Sequence, residues 1–195
     1  MSTEQFYNDL VSYYDLIFPD WDASMTRQGD ALARVIREGL RPSAGASPRV
    51  LDAAAGIGTQ ALPLAARGFR VTARDLSPQA IARLTDEAAA RGLILDAGVA
   101  DMRTVAATVT DHFEAVVCCD NSLPHLLTDT DIASAFSQFR AVLIEDGVCV
   151  CAPCVTTSAL TTPARKATNT ASVGVVSRCS GCGRNGAGST QRTTT

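Results

Sequence analysis

The sequence predicts an α/β fold: a mostly parallel sheet with helices on both faces and a helical cover in front of it. Three observations predict it. From residue 50 onward, short apolar runs alternate with segments of helical spacing, the signature of repeated strand-helix units. Almost 50 residues of mainly helical pattern precede the first of these runs. The alternation then stops at Cys151, so the sheet reads as truncated after its fifth strand.

The elements follow in order. Phe6, Leu10, Tyr13, Tyr14 and Ile17 sit at helical spacing over residues 3–17, and Pro19 interrupts. A second helix is expected over 22–40, with Met25, Leu32, Val35, Ile36 and Leu40 on one face. A loop rich in Pro, Ser and Gly fills 41–48. Strand Val50–Ala54 leads to a helix from about Thr59 to Arg67. Strand Arg70–Arg74 leads to Ser77-Pro78, a cap residue followed by proline at the first helical position. That helix runs to Arg91-Gly92. Strands Ile94–Ala100 and Phe113–Cys119 follow. A helix from Asp129 to Leu143 ends at Glu145-Asp146-Gly147, and strand Val148–Cys151 closes the series.

Composition divides the chain at the same point. Of 195 residues, 46% are hydrophobic and 19% charged, which supports a packed core and excludes wholesale disorder. All 20 acidic residues lie between Glu4 and Asp146, and all aromatics between Phe6 and Phe139. Residues 1–151 carry 12 arginines against those 20 carboxylates, a net charge of −8. Residues 152–195 carry 5 basic residues and no acidic one. The net charge of −3 for the whole chain speaks against nucleic acid as the main partner. The first 20 residues lack a basic start with an apolar run, and no apolar stretch reaches membrane-spanning length. Neither export nor a membrane is expected, so the setting reads as cytoplasmic, with seven mostly reduced cysteines.

In open parallel sheets, ligands bind beyond the carboxyl ends of the strands. The first strand ends in Val50-Leu-Asp52-Ala-Ala54-Ala-Gly56-Ile-Gly58-Thr-Gln60, whose glycines let a ligand approach the backbone. The second ends at Asp75, 17 positions after Gly58, suited to ribose hydroxyls. The third ends at Asp101-Met102, a carboxylate beside an apolar side chain, suited to the edge and face of adenine. The fourth ends in Asp120-Asn121-Ser122-Leu123-Pro124-His125. Four polar strand ends in succession build one nucleoside-sized cleft. Gly56-x-Gly58-x-x-Ala61 also fits a dinucleotide fingerprint, so an NAD(P)-dependent oxidoreductase is the competing reading. Asp52 inside the turn region and the long helical lead speak against it.

These segments resemble the motifs of class I S-adenosylmethionine-dependent methyltransferases, whose sheet is Rossmann-like. The stretch from Val50 to Gly58 resembles their motif I. Val71-Thr-Ala-Arg-Asp75-Leu-Ser-Pro78 resembles their acidic second-strand motif, and Val99-Ala-Asp101-Met102 their adenine-contacting motif. Cys119-Asp-Asn-Ser-Leu-Pro-His125-Leu is similar to the corresponding segment of the glycine and sarcosine N-methyltransferase group. The resemblance covers residues 6–151. Ala54 departs from the first glycine of the commonest motif I, and Ala55 stands where the group often has cysteine.

The resemblance implies roles. Asp52, Ala54, Gly56 and Gly58 surround the methionyl end of S-adenosylmethionine. Asp75 binds the ribose, Leu76 packs near the adenine, and Asp101 and Met102 hold it. Cys119 and His125 line the sulfonium side, Arg27 meets the cofactor carboxylate, and Asn121 contacts the substrate. The reaction it implies is methyl transfer to a small molecule, an amine nitrogen. That chemistry needs mainly proximity, orientation and exclusion of water. Asp120 or His125 would serve as base if the acceptor arrives protonated. A non-catalytic cofactor-binding remnant is the other alternative.

The tail, 152–195, is atypical. Cys151-x-x-Cys154 and Cys179-x-x-Cys182 resemble a four-thiolate zinc site with an overlong gap. Without aromatics or hydrophobic periodicity, the segment reads as disordered. A third reading is a frameshift near residues 148–153. The resembled family continues after this strand with an Arg-Asp-Tyr-Glu segment. Codons for Cys154–Ser158 can be chosen that spell those four residues two bases later.

Overall fold

A computed structural model describes residues 8, 11, 13, 19–40, 47–120, 122–152 and 175–178. The helix expected over 3–17 and the loop at 41–46 fall almost wholly outside the described residues. So do Asn121, Cys154, Cys179, Cys182 and the tail beyond Ala152 other than 175–178, with the zinc, disorder and frameshift readings that concern them.

Helix α1 spans Trp21–Gly39. The Asp20 side chain caps it, accepting from the Ala23 amide at 2.8 Å. Its buried stripe includes Ser24, Met25, Gln28, Gly29, Leu32 and Ile36, the spacing of one helix face. Strand β1 (Arg49–Asp52) leads through a glycine turn to α2 (Ala61–Ala66). Strand β2 (Arg70–Asp75) leads to α3 (Pro78–Ala90), which Ser77 caps as its position before Pro78 predicts. Strands β3 (Asp96–Val99) and β4 (Phe113–Cys119) follow, then α4 (Asp129–Val142), capped by Thr128. Strand β5 (Leu143–Ala152) and the short β6 (Val175–Arg178) complete the sheet.

The strand order is β3-β2-β1-β4-β5-β6. The first five strands run parallel, as expected, and β6 pairs antiparallel with β5. Side chains alternate across the sheet. Val50 and Val117 join α1, α2 and α3 through Ile36, Leu64 and Leu84 on one face. Leu51, Val116 and Cys118 join α4 through Ala135, Phe139 and Val142 on the other. The central strands are buried on both faces, hence their continuous apolar runs. No helix among the described residues is long and apolar enough to cross a membrane.

Two elements differ from the sequence reading. The helix expected to reach Leu143 stops at Val142, and β5 begins at once. Phe113 pairs with Leu143, but Ala115 pairs with Val148, so the Glu145-Asp146-Gly147 segment becomes an irregularity inside the strand rather than a helix end. Asp146 has a φ of 63° there. The second difference is β6, a strand in the tail beyond Cys151, where no regular element is expected.

Candidate functional site

The carboxyl ends of β1, β2, β3 and β4 meet at one cavity of about 430 Å³. That volume lies in the range of small-ligand sites. The turn after β1 forms its floor and is pinned from both sides. The Ala53 amide donates to the Val117 carbonyl at 2.9 Å, and the Ala55 amide to the Arg74 carbonyl at 2.9 Å. Gly56 and Gly58 have φ of 53° and 100°, a region that favours glycine. A Cβ on Gly58 would lie 2.8 Å from Leu62 Cδ1, so that glycine seats the turn on α2. A Cβ on Gly56 would meet nothing within 4 Å. Gly56 therefore presents bare backbone to the cavity.

Asp75 ties β2 to this turn. Its Oδ2 accepts from the Gly56 amide at 2.8 Å and its Oδ1 from the Ser77 amide at 2.9 Å. Burial pushes its carboxyl upward, against the lowering pull of the Ser77 and Gly56 amides. Asp52 lies behind the turn, 1% exposed. Ala54 donates weakly to its Oδ1 at 3.4 Å. Among the described residues, its Oδ2 is the buried side-chain polar atom left without a hydrogen-bond partner. Burial, and then the neighbouring Asp75 and Asp120 carboxylates, push Asp52 up to about 8.

Asp101 at the end of β3 carries a guanidinium. Arg103 Nη2 donates to its Oδ2 at 2.6 Å and Nε to both oxygens at 3.1 and 3.0 Å, while Nη1 reaches Asp131 Oδ1 on α4 at 2.9 Å. The hydrogen bond from Arg103 holds the Asp101 carboxyl below the usual range. Cys119 closes β4 at 2% exposure, and burial pushes its thiol well up. His125 sits beyond it in a 3₁₀ turn, Leu123–His125.

Of the residues the sequence singles out, Ala54, Gly56, Asp75, Leu76, Asp101, Met102, Cys119 and His125 line this cavity. Asp52 and Gly58 support it from behind. Arg27 does not join them. It is exposed on α1, one position off the buried stripe that carries Gln28, and it is absent from the cavity lining. The expectation that it reaches a bound cofactor finds no support in this geometry. Asn121 lies outside the described residues.

Sequence reasoning missed a buried polar row. Gln60 Nε2 donates to Asp120 Oδ2 at 2.9 Å and to Gln28 Oε1 at 2.7 Å, and Gln28 Nε2 donates to Ser24 Oγ at 3.1 Å. Ser24 and Gln28 fall on the apolar stripe of α1, and polar residues at core spacing were the available signal. It also missed the Arg103 bridge to Asp131. Two described residues of the N-terminal segment touch the site: Val11 lines the cavity, and Ser77 Oγ donates to Asn8 Oδ1.

The donor set fits S-adenosylmethionine. An orphaned buried carboxylate oxygen and two further carboxylates suit a cationic ligand, and the open space over Gly56 suits close backbone approach. The comparisons agree. The family described as "Methyltransferase domain" matches residues 50–147. A glycine/sarcosine N-methyltransferase from Parasynechococcus marenigrum is 31% identical over 148 residues, covering 75% of this chain and 50% of that protein. A glycine/sarcosine/dimethylglycine N-methyltransferase from Actinopolyspora halophila is 36% identical over 102 residues, covering 52% of this chain and 18% of that one. The S-adenosylmethionine-bound structure of an amino pentose methyltransferase from Micromonospora echinaspora superposes with a TM-score of 0.57 at 28% identity, covering 67% of this chain and 51% of that chain. An S-adenosylmethionine-dependent methyltransferase from Clostridium acetobutylicum shares the fold, with a TM-score of 0.61 at 20% identity over 75% of this chain and 57% of that one. The chain thus spans about half the length of the curated glycine/sarcosine relative from Parasynechococcus. These matches support methyl transfer over the oxidoreductase reading, and with the four strand ends around one acidic cavity they establish that the chain belongs to the class I S-adenosylmethionine-dependent methyltransferases.

Proposed function

We propose that this chain transfers a methyl group from S-adenosylmethionine to the nitrogen of a small amine. The observation that carries the proposal is the convergence of four strand ends on one cavity, with Asp52 Oδ2 unpartnered behind its floor. The glycine/sarcosine N-methyltransferase relatives support an amine acceptor.

In this reading Asp75 receives the ribose hydroxyls while its bonds to Gly56 and Ser77 keep both carboxylate oxygens oriented. Met102 and Leu76 flank the adenine, and Asp101 accepts from its edge. Asp52, Ala54, Gly56 and Gly58 surround the methionyl end, and Cys119 and His125 line the sulfonium side. When bound, S-adenosylmethionine supplies an electrophilic methyl group on a positively charged sulfur. The protein's work is to hold donor and acceptor in line and keep water out. The buried thiol of Cys119 and the apolar side chains of Leu126 and Met102 suit that second task. Asp120 and His125 are available to take a proton from a protonated acceptor.

Residues 1–151 form the cofactor-binding unit in this reading, and the tail adds Val175–Arg178 to the edge of its sheet. The four described cysteines, Cys118, Cys119, Cys149 and Cys151, are free thiols, in keeping with a cytoplasmic setting. The test is methyl transfer from labelled S-adenosylmethionine to a panel of small primary, secondary and tertiary amines, with alcohols and thiols as controls. Label is expected in amines. Label confined to alcohols or thiols, or absent from all acceptors, would overturn the proposal.

A further inference from the structure

We propose that Asp120, held in place by Gln60 and buttressed by Gln28 and Ser24, is the carboxylate that receives the cationic nitrogen of the acceptor. The inference rests on the amine reading above and adds to it a recognition group and the residues that position it.

Asp120 follows directly after β4. Its φ is 56°, in the left-handed region that non-glycine residues seldom occupy. Such a conformation is strained and persists where surrounding contacts impose it. The contact from Gln60 is one such constraint, and its polarity is fixed by charge. A carboxylate only accepts, so Gln60 must turn Nε2 toward Asp120. Its second N–H then points at Gln28, which must present Oε1 and direct its own Nε2 to Ser24. Each observed bond obeys this order. Ser24, Gln28 and Gln60 are all buried, at 7%, 5% and 3% exposure. Buried amides are expensive unless paired, so a row of them running from α1 to one carboxylate indicates a position under constraint.

The strand order places this carboxylate at a definite end of the cavity. In β3-β2-β1-β4, the Asp101 and Asp75 ends lie on one side and the Asp120 end on the other. With the nucleoside over β2 and β3, Asp120 stands at the end where the acceptor must enter. The charges there favour a cation. Asp52, Asp75 and Asp120 lie close enough that the latter two act on Asp52. Among the described cavity residues, the permanent cation is Arg103, and it is committed to Asp101 and Asp131. Among the described cavity residues, an anionic acceptor would meet carboxylates without an uncommitted guanidinium to offset them. A carboxylate has about four lone-pair positions, enough for Gln60 and an ammonium donor together. During the reaction the acceptor N–H proton passes to Asp120, and the freed lone pair forms the new N–C bond as the S–C bond breaks. The product leaves as an ammonium ion, and Asp120 returns its proton to solvent.

The test uses the 195-residue chain and dimethylammonium as probe, with isopropanol as a neutral control of similar shape. Probe binding is followed by ligand-observed NMR, with and without saturating S-adenosylhomocysteine. Asn tolerates the left-handed conformation, so Asp120→Asn removes charge while keeping the backbone. The wild type is expected to prefer dimethylammonium to isopropanol by about tenfold or more. Asp120→Asn should abolish that preference. Gln60→Met, which keeps length but donates nothing, should weaken dimethylammonium binding several-fold and leave the affinity for S-adenosylhomocysteine within about twofold. Gln28→Leu should act in the same direction more weakly. A merely structural role for Gln60 would instead change melting temperature and both affinities together. Equal probe binding by wild type and Asp120→Asn would overturn the proposal. If S-adenosylhomocysteine fails to bind, the cofactor reading falls, and the titration without it still decides the role of Asp120. If dimethylammonium binds as described but no amine is methylated, the functional reading falls and the recognition site stands.

Discussion

Asp75 Oδ2 accepts a hydrogen bond from the Gly56 amide at 2.8 Å, fastening the end of β2 to the turn that follows β1. The same carboxylate caps the approach to α3 through the Ser77 amide. A ligand laid across β1 and β2 therefore meets a floor whose two halves cannot drift apart. Asp75→Ala removes acceptors from two amides, each charge-assisted bond being worth about 1.5–3 kcal/mol before the cost of burying the carboxylate is returned. The expected loss is about 1–3 kcal/mol of stability in urea unfolding. Calorimetry should show S-adenosylhomocysteine affinity reduced by more than about tenfold.

Asp52 makes stability fall as pH rises. Its folded value of about 8 stands above the ordinary carboxylate value of 3.8. Across that window the folded chain keeps a proton that the unfolded chain has released. Folded-state proton uptake means that stability declines from about pH 4 upward and levels off above about 8. Asp52→Asn should flatten the dependence, measured as urea midpoints between pH 5 and 9. A cation bound nearby favours the ionised form, so S-adenosylmethionine binding at pH 7 should release protons, seen as a dependence of binding heat on buffer ionisation enthalpy. The neutral sulfur of S-adenosylhomocysteine should release fewer, and Asp52→Asn fewer still.

The two turn glycines should separate packing from binding. Gly58→Ala combines a φ of 100° with a Cβ 2.8 Å from Leu62 and 3.2 Å from Leu84. A loss of about 2–4 kcal/mol is expected in thermal or urea unfolding. Gly56→Ala has a φ of 53° and open space around the added methyl. It should cost only about 1 kcal/mol in the free chain. Its larger effect should fall on cofactor affinity, because that methyl stands at the cavity surface.

Much of this was legible in the sequence, and the reasons are local. Phe113–Cys119 was readable to the residue because an apolar stretch interrupted only by Glu114 and buried on both faces has few other uses. Ser77-Pro78 announced α3 through cap chemistry. The strand-end carboxylates Asp75 and Asp101 were legible because parallel-sheet topology puts strand ends together. The end of α4 was misread because Asp146-Gly147 carries the same turn signal at a helix stop and at an irregularity within a strand. Arg27 is exposed beside the buried Gln28 because a one-position difference on a helix turns a side chain by about 100°. The Gln60–Gln28–Ser24 row joins residues 36 positions apart, and such pairings are set by packing rather than by local pattern.

The Arg103 bridge should matter little to stability and visibly to its pH dependence. Arg103 holds Asp101 below the usual carboxylate range, so the bridge contributes above that range and is lost as pH falls through the lowered value. Both partners are partly exposed, at 24% and 42% of their side-chain area. Solvent screening limits the contribution to about 0.2–1 kcal/mol. Arg103→Gln should destabilise by that amount at pH 7 and by nothing measurable near pH 2, in paired urea titrations.

The central claim is that the four strand ends form an adenosyl-cofactor site in this chain. Isothermal titration of the 195-residue protein with S-adenosylhomocysteine tests it most directly. The account predicts one-to-one binding that is weakened by more than about tenfold in Asp75→Ala and kept within about twofold in Arg27→Ala, whose side chain lies outside the cavity. Absence of binding to the folded chain, or binding of NAD in place of S-adenosylhomocysteine, would contradict it.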